Sequence, residues 1–193
     1  MSEAKLHEHV LSGAVMPHPA IMLRMATLDD VRSMIAGCGM TAIMLRMATL
    51  DDVPQLVDLF DRFFQETQYA SHLEYSRENS RRYLEHVVGT GMSPHILAVL
   101  DGTVVGVLSY HMDRSFCTQP LAILDEVYVI PEFAATPIGR ALVSAAMDIC
   151  RDVEGANCFH AVLSSGHKRA KTLVNLFKKF GAQEIGTVVR KLF

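Results

Sequence analysis

Leu121 to Ala146 reads LAILDEVYVIPEFAATPIGRALVSAA, a strand that runs into a short loop and delivers a helix N-terminus. From Leu121 to Ile130 the residues are mostly apolar and β-branched, with Asp125 and Glu126 set inside the run. Pro131 closes that run, because proline cannot donate to a strand ladder. After the loop, Thr136 reads as an N-cap and Pro137 as the first helical position, where its missing N–H costs nothing. The helix is expected from Pro137 to Val153. Its first amides, at Ile138, Gly139 and Arg140, carry the positive end of the helix dipole, and Gly139 admits close approach of a ligand to the backbone. In outline this is an anion site, although an ordinary strand-to-helix crossover uses the same pattern.

Composition sets the bounds around this segment. The chain has 193 residues, 50% of them hydrophobic, enough for one domain with a sizeable core. A formal net charge of -3 and a pI near 6.3 argue against a nucleic-acid partner. Cys38, Cys117, Cys150 and Cys158 show no CxxC spacing and no paired histidine pattern, so no metal site or disulfide framework is expected and the thiols read as reduced. No apolar run reaches the roughly 18 residues of a membrane span, and the N-terminus lacks the basic-then-apolar layout of a signal peptide. A cytoplasmic protein with no membrane partner is the expectation.

Ala20 to Val31, AIMLRMATLDDV, recurs letter for letter as Ala42 to Val53, and identity stops at Arg32 against Pro54. Functional repeat arrays need at least three stacking units, so two identical copies read as a duplication scar. The second copy continues into a long amphipathic pattern. Residues 1–41 are therefore expected to be an N-terminal extension that contains the duplicated segment, and residues 42–193 the domain. His7, His9 and His18 of the extension have no ligand spacing.

Within the domain, Ile43 to Ala48 suggests a first strand, and Thr49, Asp51 and Asp52 start a helix that runs to about Gln65. Its apolar face, Leu56, Val57, Leu59, Phe60, Phe63 and Phe64 among others, reads as core. Gln68, Tyr69, His72 and Tyr75 read first as a solvated helix-helix loop, and otherwise as the lining of a pocket. Ser76 or Ser80 starts a second helix that reaches Val88, before glycines at 89 and 91. His95 to Leu100 and Thr103 to His111 form a hairpin across Asp101-Gly102. Cys158 to Ser164 is a further strand, His167 to Phe180 a basic amphipathic helix closed by Gly181, and Gln183 to Phe193 a final strand or bent hairpin.

This element order resembles the GNAT superfamily of N-acetyltransferases. The family's loop pattern, [RQ]-x-x-G-x-[GA], aligns with Ala134 to Gly139 and keeps only its last glycine, followed by the family-like Arg140-Ala141-Leu142. Its second signature, N-x-x-A-x-x-L-Y-x-K-x-G-F, is matched at Leu176, Lys179 and Gly181, with Ala170, Leu173, Phe177 and Ala182 at the other positions. The resemblance implies an α/β (α+β) fold with a mixed, mostly antiparallel sheet flanked by helices. It implies acetyl-CoA as co-substrate, held by the main chain of Val127 and Val129 and by Thr136, Ile138, Gly139 and Arg140, with Lys168 and Arg169 as further phosphate contacts. The acceptor would be a small-molecule or protein amine, and a homodimer is admitted.

Direct acetyl transfer needs a base for the ammonium and a proton for the leaving thiolate. Glu126 is the candidate base, unless it or Asp125 faces solvent or pairs with Arg140. Phe177 stands where the family often has a tyrosine and has no proton to give, so Tyr128 or a water takes the acid's place. The alternative is a catalytically silent CoA-binding or protein-interaction module, which rests on the departures at Ala134, Pro137 and Phe177. Deleting residues 1–41 is expected to leave the melting temperature within a few degrees of that of the full chain. A truncated chain that fails to fold would make the first copy part of the core.

Overall fold

Ile96 to Val99 and Val104 to Leu108, apart from Gly106, are apolar side chains that the structure buries almost completely, and together they form the centre of the sheet. The computed structural model describes residues 43–115, 118–162 and 170–184. The N-terminal extension, Cys117, Lys168, Arg169 and all but the first two residues of the expected last strand lie outside the described residues.

The elements follow in the order β1 (Met44–Met47), α1 (Val53–Glu66), α2 (Arg77–Thr90), β2 (His95–Leu100), β3 (Thr103–Asp113), β4 (Leu121–Val129), α3 (Ile138–Asp152), β5 (Cys158–Ala161) and α4 (Ala170–Lys179). Short 3-10 turns occupy Leu50–Asp52, Gln68–Ser71 and Pro131–Phe133. Among the described residues the strands form one sheet in the order β1-β2-β3-β4-β5, antiparallel except where β4 meets β5. This is the mixed, mostly antiparallel α/β arrangement that the element order implied.

Local chemistry explains the connections. The β2–β3 turn holds Asp101 at φ 49° and Gly102 at φ 79°, the pair of left-handed residues that a two-residue hairpin requires. Ser76, not Ser80, caps α2 by accepting from the Asn79 N–H at 3.3 Å. The helix runs through Gly89 and stops at Gly91, whose φ of 69° suits a residue without a Cβ. Gly181 ends α4 in the same way, and the Ala182 N–H returns to the Phe177 carbonyl at 3.1 Å.

The side-chain alternation of β4 sorts the helices onto two faces. Tyr128 packs against Phe63 of α1 with ring centroids 5.3 Å apart. Its neighbour Val129 lies on the other face, where a Cβ added at Gly139 of α3 would be 3.8 Å from it. Gly106 sits beneath α3, and a Cβ there would come within 3.2 Å of the Tyr128 carbonyl and 3.3 Å of Leu142. The apolar face of α1 splits: Val53, Leu56, Val57 and Leu59 are buried, whereas Phe60, Phe63 and Phe64 are only partly covered. Among the described residues no helix is long and apolar enough to cross a membrane. Cys150 and Cys158 are free thiols.

Edge strand β1 is tied to α1 by a buried carboxylate. Asp52 accepts from both terminal nitrogens of Arg46 at 2.6 Å, and from the Thr49 N–H at 2.8 Å and hydroxyl at 3.0 Å. The Arg46 hydrogen bonds, with those from Thr49, outweigh the effect of burial and hold the Asp52 carboxyl down at about 2. A carboxylate with a depressed pKa contributes stability that is present above its unfolded pKa and lost as pH falls through the folded value. Asp52→Asn is expected to cost about 2–3 kcal/mol at pH 7 by urea denaturation. The difference from wild type should shrink as pH falls from about 4 towards 2. A constant difference over that range would mean that the ion pair is not its source.

Candidate active site

Parallel pairing of β4 with β5 extends only from Leu121–Cys158 to Leu124–Ala161. At the same point β4 bulges: Ser109 faces Glu126 and Tyr110 faces Leu124, so Asp125 is the extra residue. Beyond the bulge the Ile130 N–H donates to the Val105 carbonyl at 3.0 Å. The antiparallel alternation therefore turns the main-chain groups of Tyr128 towards β3 and those of Val127 and Val129 away from it, on the side where β5 has diverged.

Two cavities open here. The first, of about 430 Å³, lies between α1, α2 and β4 and has Asp125, Glu126 and Val127 in its wall. The second, of about 380 Å³, runs along Val127, Tyr128 and Val129 to Ala134, Thr136, Gly139 and Arg140, with Thr172, Asn175 and Lys179 of α4 on its far side. Val127 and Leu173 line both, so the cavities share a wall.

Glu126 lines the first cavity, and Ser109 donates to its Oε2 at 2.5 Å. Burial pushes its pKa up from the ordinary carboxylate value; the Ser109 hydrogen bond opposes the shift and the neighbouring Asp125 charge adds to it. Asp125 is held differently. Its Oδ1 lies 2.6 Å from His111 Nδ1, and its Oδ2 accepts from the Ser93 hydroxyl at 2.9 Å. Neither carboxylate is paired with Arg140, whose guanidinium lies 6.0 Å over the Phe180 ring beside the second cavity.

Tyr128 stands on the same face as Glu126, two residues along, and donates its hydroxyl hydrogen to Glu66 Oε1 at 2.6 Å. It borders the second cavity, so the structure places the two candidate catalytic residues on one strand but at different cavities. Phe177, which replaces the family's tyrosine, is buried and stacks on Phe159 at 6.3 Å.

The helix α3 begins one residue later than its sequence suggests. Pro137 (φ -71°, ψ 2°) occupies the cap position, and the first ladder bond runs from the Ala141 N–H to its carbonyl at 2.9 Å. Thr136 is consequently not the cap: its hydroxyl donates to the Phe133 carbonyl at 2.6 Å, and the Ile138 N–H is 3.5 Å from it. The amides of Ile138, Gly139 and Arg140 still precede the ladder. Gly139 and Arg140 border the second cavity.

The segment after α1 is corrected as well. Tyr69 and Tyr75 line the first cavity, and Tyr75 is anchored there, its hydroxyl donating to the Val57 carbonyl at 3.0 Å and lying 2.6 Å from the Ser80 hydroxyl. Gln68 and His72 are not part of that lining, and His72 is exposed, as a solvated loop requires. Sequence reasoning missed Ser109 and His111, whose only signal was two polar residues inside an apolar strand. It also missed Thr172 and Asn175, which with Lys179 recur at three and four residues along one face of α4.

A model of the acetyltransferase (GNAT) family matches residues 53–182. Among solved structures, the ribosomal-protein-alanine N-acetyltransferase of Brucella melitensis biovar Abortus 2308 is 15% identical, with a TM-score of 0.61 over 79% of this chain and 100% of that one. An aminoglycoside acetyltransferase from an uncultured soil metagenomic sample, in complex with sisomicin, is 16% identical, with a TM-score of 0.61 over 78% and 97%. An aminoglycoside N-acetyltransferase in complex with CoA is 12% identical, with a TM-score of 0.63 over 78% and 94%. At these identities the likeness is one of fold. No curated protein matches the sequence.

The Glu126 environment gives a direct expectation. In a carbon-detected NMR titration its carboxyl should titrate above the ordinary glutamate value of roughly 4.3, and Ser109→Ala should move it higher still, because the hydroxyl stabilises the charged form. A downward move on removing the hydroxyl would reverse the assigned sign.

Proposed function

The chain belongs to the acetyltransferase (GNAT) family, and from that premise we propose that it moves an acetyl group from acetyl-CoA directly to an amine, with Glu126 as general base. The observation that carries the reading is the shared wall: a cavity lined by a partly buried carboxylate adjoins, across Val127 and Leu173, a groove that ends at a helix N-terminus. A reaction between two bound molecules needs that adjacency.

The groove suits acetyl-CoA in its donor set. The main chain of Val127 faces the side where an amide-bearing pantetheine arm would run, and it asks nothing of side-chain identity. The amides of Ile138, Gly139 and Arg140, with the dipole of α3 behind them, suit the pyrophosphate, and Arg140 and Lys179 add positive charge. Pro137 contributes no N–H, so the anion is held by fewer donors than the family pattern supplies.

In the reaction the amine arrives as an ammonium, whose pKa near 10 forbids attack until a proton leaves. Glu126, made more basic by burial, accepts that proton directly or through a water. The nitrogen then bonds to the thioester carbonyl carbon and gives up its second proton to solvent, the C–S bond breaks, and the thiolate takes up a proton. Tyr128 borders the groove and is the candidate donor, a role that requires its hydroxyl hydrogen to turn from Glu66. A water is the other source.

Acetyl-CoA at 100 times its Kd should add about 2.7 kcal/mol to folding stability, a rise of roughly 5–10 °C in melting temperature. Glu126→Gln should keep that rise and lower kcat by about 10²- to 10⁴-fold. A wild-type protein that acetyl-CoA does not stabilise would sink the proposal, and full kcat in the Glu126→Gln variant would remove Glu126 from it.

A further inference from the structure

The wall of the acceptor cavity is far more aromatic than transfer to an arbitrary amine requires. Phe60, Phe63, Phe64, Tyr69, Tyr75 and Tyr83 supply rings around the approach to Glu126. Most of these rings are braced: Phe60 meets Phe63 edge-on at 6.4 Å, Phe63 leans on Tyr128 at 5.3 Å, and Phe64 on Tyr75 at 5.6 Å. Tyr69 and Tyr83, 39% and 51% exposed, stand at the mouth. Leu84, Leu124, Val162 and Leu173 add aliphatic surface, and Thr67 and Ser80 contribute two hydroxyls.

The charge in this cavity is equally specific. Asp125 is held by His111 and Ser93, one on each oxygen, whereas Glu126 takes its one hydrogen bond from the neutral Ser109 and is the less engaged of the two carboxylates towards an incoming cation. Aromatic faces attract an ammonium electrostatically, and one desolvated carboxylate matches one positive charge. A polyol or a second ammonium carried into the same space would exchange its water for a wall made mostly of rings and aliphatic carbon, with few polar groups in return.

We infer that the acceptor is a small primary amine with one positive charge and an aromatic or alkyl body, its nitrogen directed at Glu126 and its body packed among the rings of α1 and α2. The inference rests on the acyl-transfer reading of the same site and adds to it the class of substrate. It differs from the aminoglycoside acceptor that occupies a protein of similar fold.

The test is a panel assay on the full chain, following thiol release from acetyl-CoA with phenethylamine, a series of n-alkylamines from butylamine to heptylamine, spermidine and sisomicin. Phenethylamine is expected to exceed spermidine and sisomicin at least tenfold in kcat/KM. Along the alkyl series kcat/KM should rise about threefold to fourfold per methylene until the cavity is full. Tyr83→Ala, a change at the exposed mouth, should lower kcat/KM for phenethylamine without moving the acetyl-CoA KM. Equal or better use of spermidine or sisomicin, or indifference to alkyl length, would overturn the inference. If no amine releases thiol, the acyl-transfer reading fails, and calorimetry on the CoA-loaded protein decides the cavity separately. Phenethylamine binding at least tenfold tighter than spermidine would sustain the assignment, and equal or weaker binding would end it.

Discussion

A strand main chain that leaves its neighbour must turn its polar groups to something else, and in this protein that requirement falls on β4 beyond Leu124. The four residue pairs that join β4 to β5 are enough to anchor the crossover helix α3, and too few to close the sheet. The bulge at Asp125 adds local twist at the point of divergence. Its side chain would be a partly buried, unpaired charge without Ser93 and His111, which come from the segment before β2 and from β3. The groove thus depends on a knot of hydrogen bonds one strand away from it, and on the stiffness of the β2–β3 hairpin that carries those partners.

Energetically, the site works against the fold that houses it. Burial raises the Glu126 pKa, so the charged form is disfavoured in the native state relative to the unfolded chain. For a group shifted in that direction, the favourable contribution is complete below the unfolded pKa and declines as pH rises through the folded one. Ser109 moderates the penalty, and the aromatic packing of α1 against the sheet offsets it elsewhere. The reverse holds at the far edge of the sheet, where the depressed Asp52 carboxyl stabilises the native state at neutral pH. The two carboxylates thus act on stability in opposite senses: buried Asp52 adds to it at neutral pH, and partly buried Glu126, the proposed base, subtracts from it.

The architecture was legible because its signals are local. Asp-Gly at 101–102 forces a two-residue turn, Pro131 stops a strand, and glycines at 91 and 181 end helices through positive φ. What could not be read depends on distance in space. The Phe60, Phe63 and Phe64 stripe has the same period whether it meets packed side chains or an open cavity, and only the placement of α2 and β4 decides which. The bulge is likewise invisible in one strand, since it is a mismatch of register between two. The start of α3 differs by one position because Pro137, at φ -71°, fits either the cap or the first turn.

The wall made by Val127 and Leu173 has a consequence for how such a protein could diversify. Because both residues touch both cavities, a change of size at either alters both spaces together, which in the proposed reaction are the room for the acyl group and the room for the acceptor. Selection for a new acceptor acting at that wall would therefore carry a side effect on thioester choice. Tyr69 and Tyr83 border the first cavity and not the groove, and they lie at the surface where substitutions cost the core little. Descendants that exchange acceptors while keeping their donor should accumulate their differences at this rim first, with the shared wall the slowest part of the site to drift.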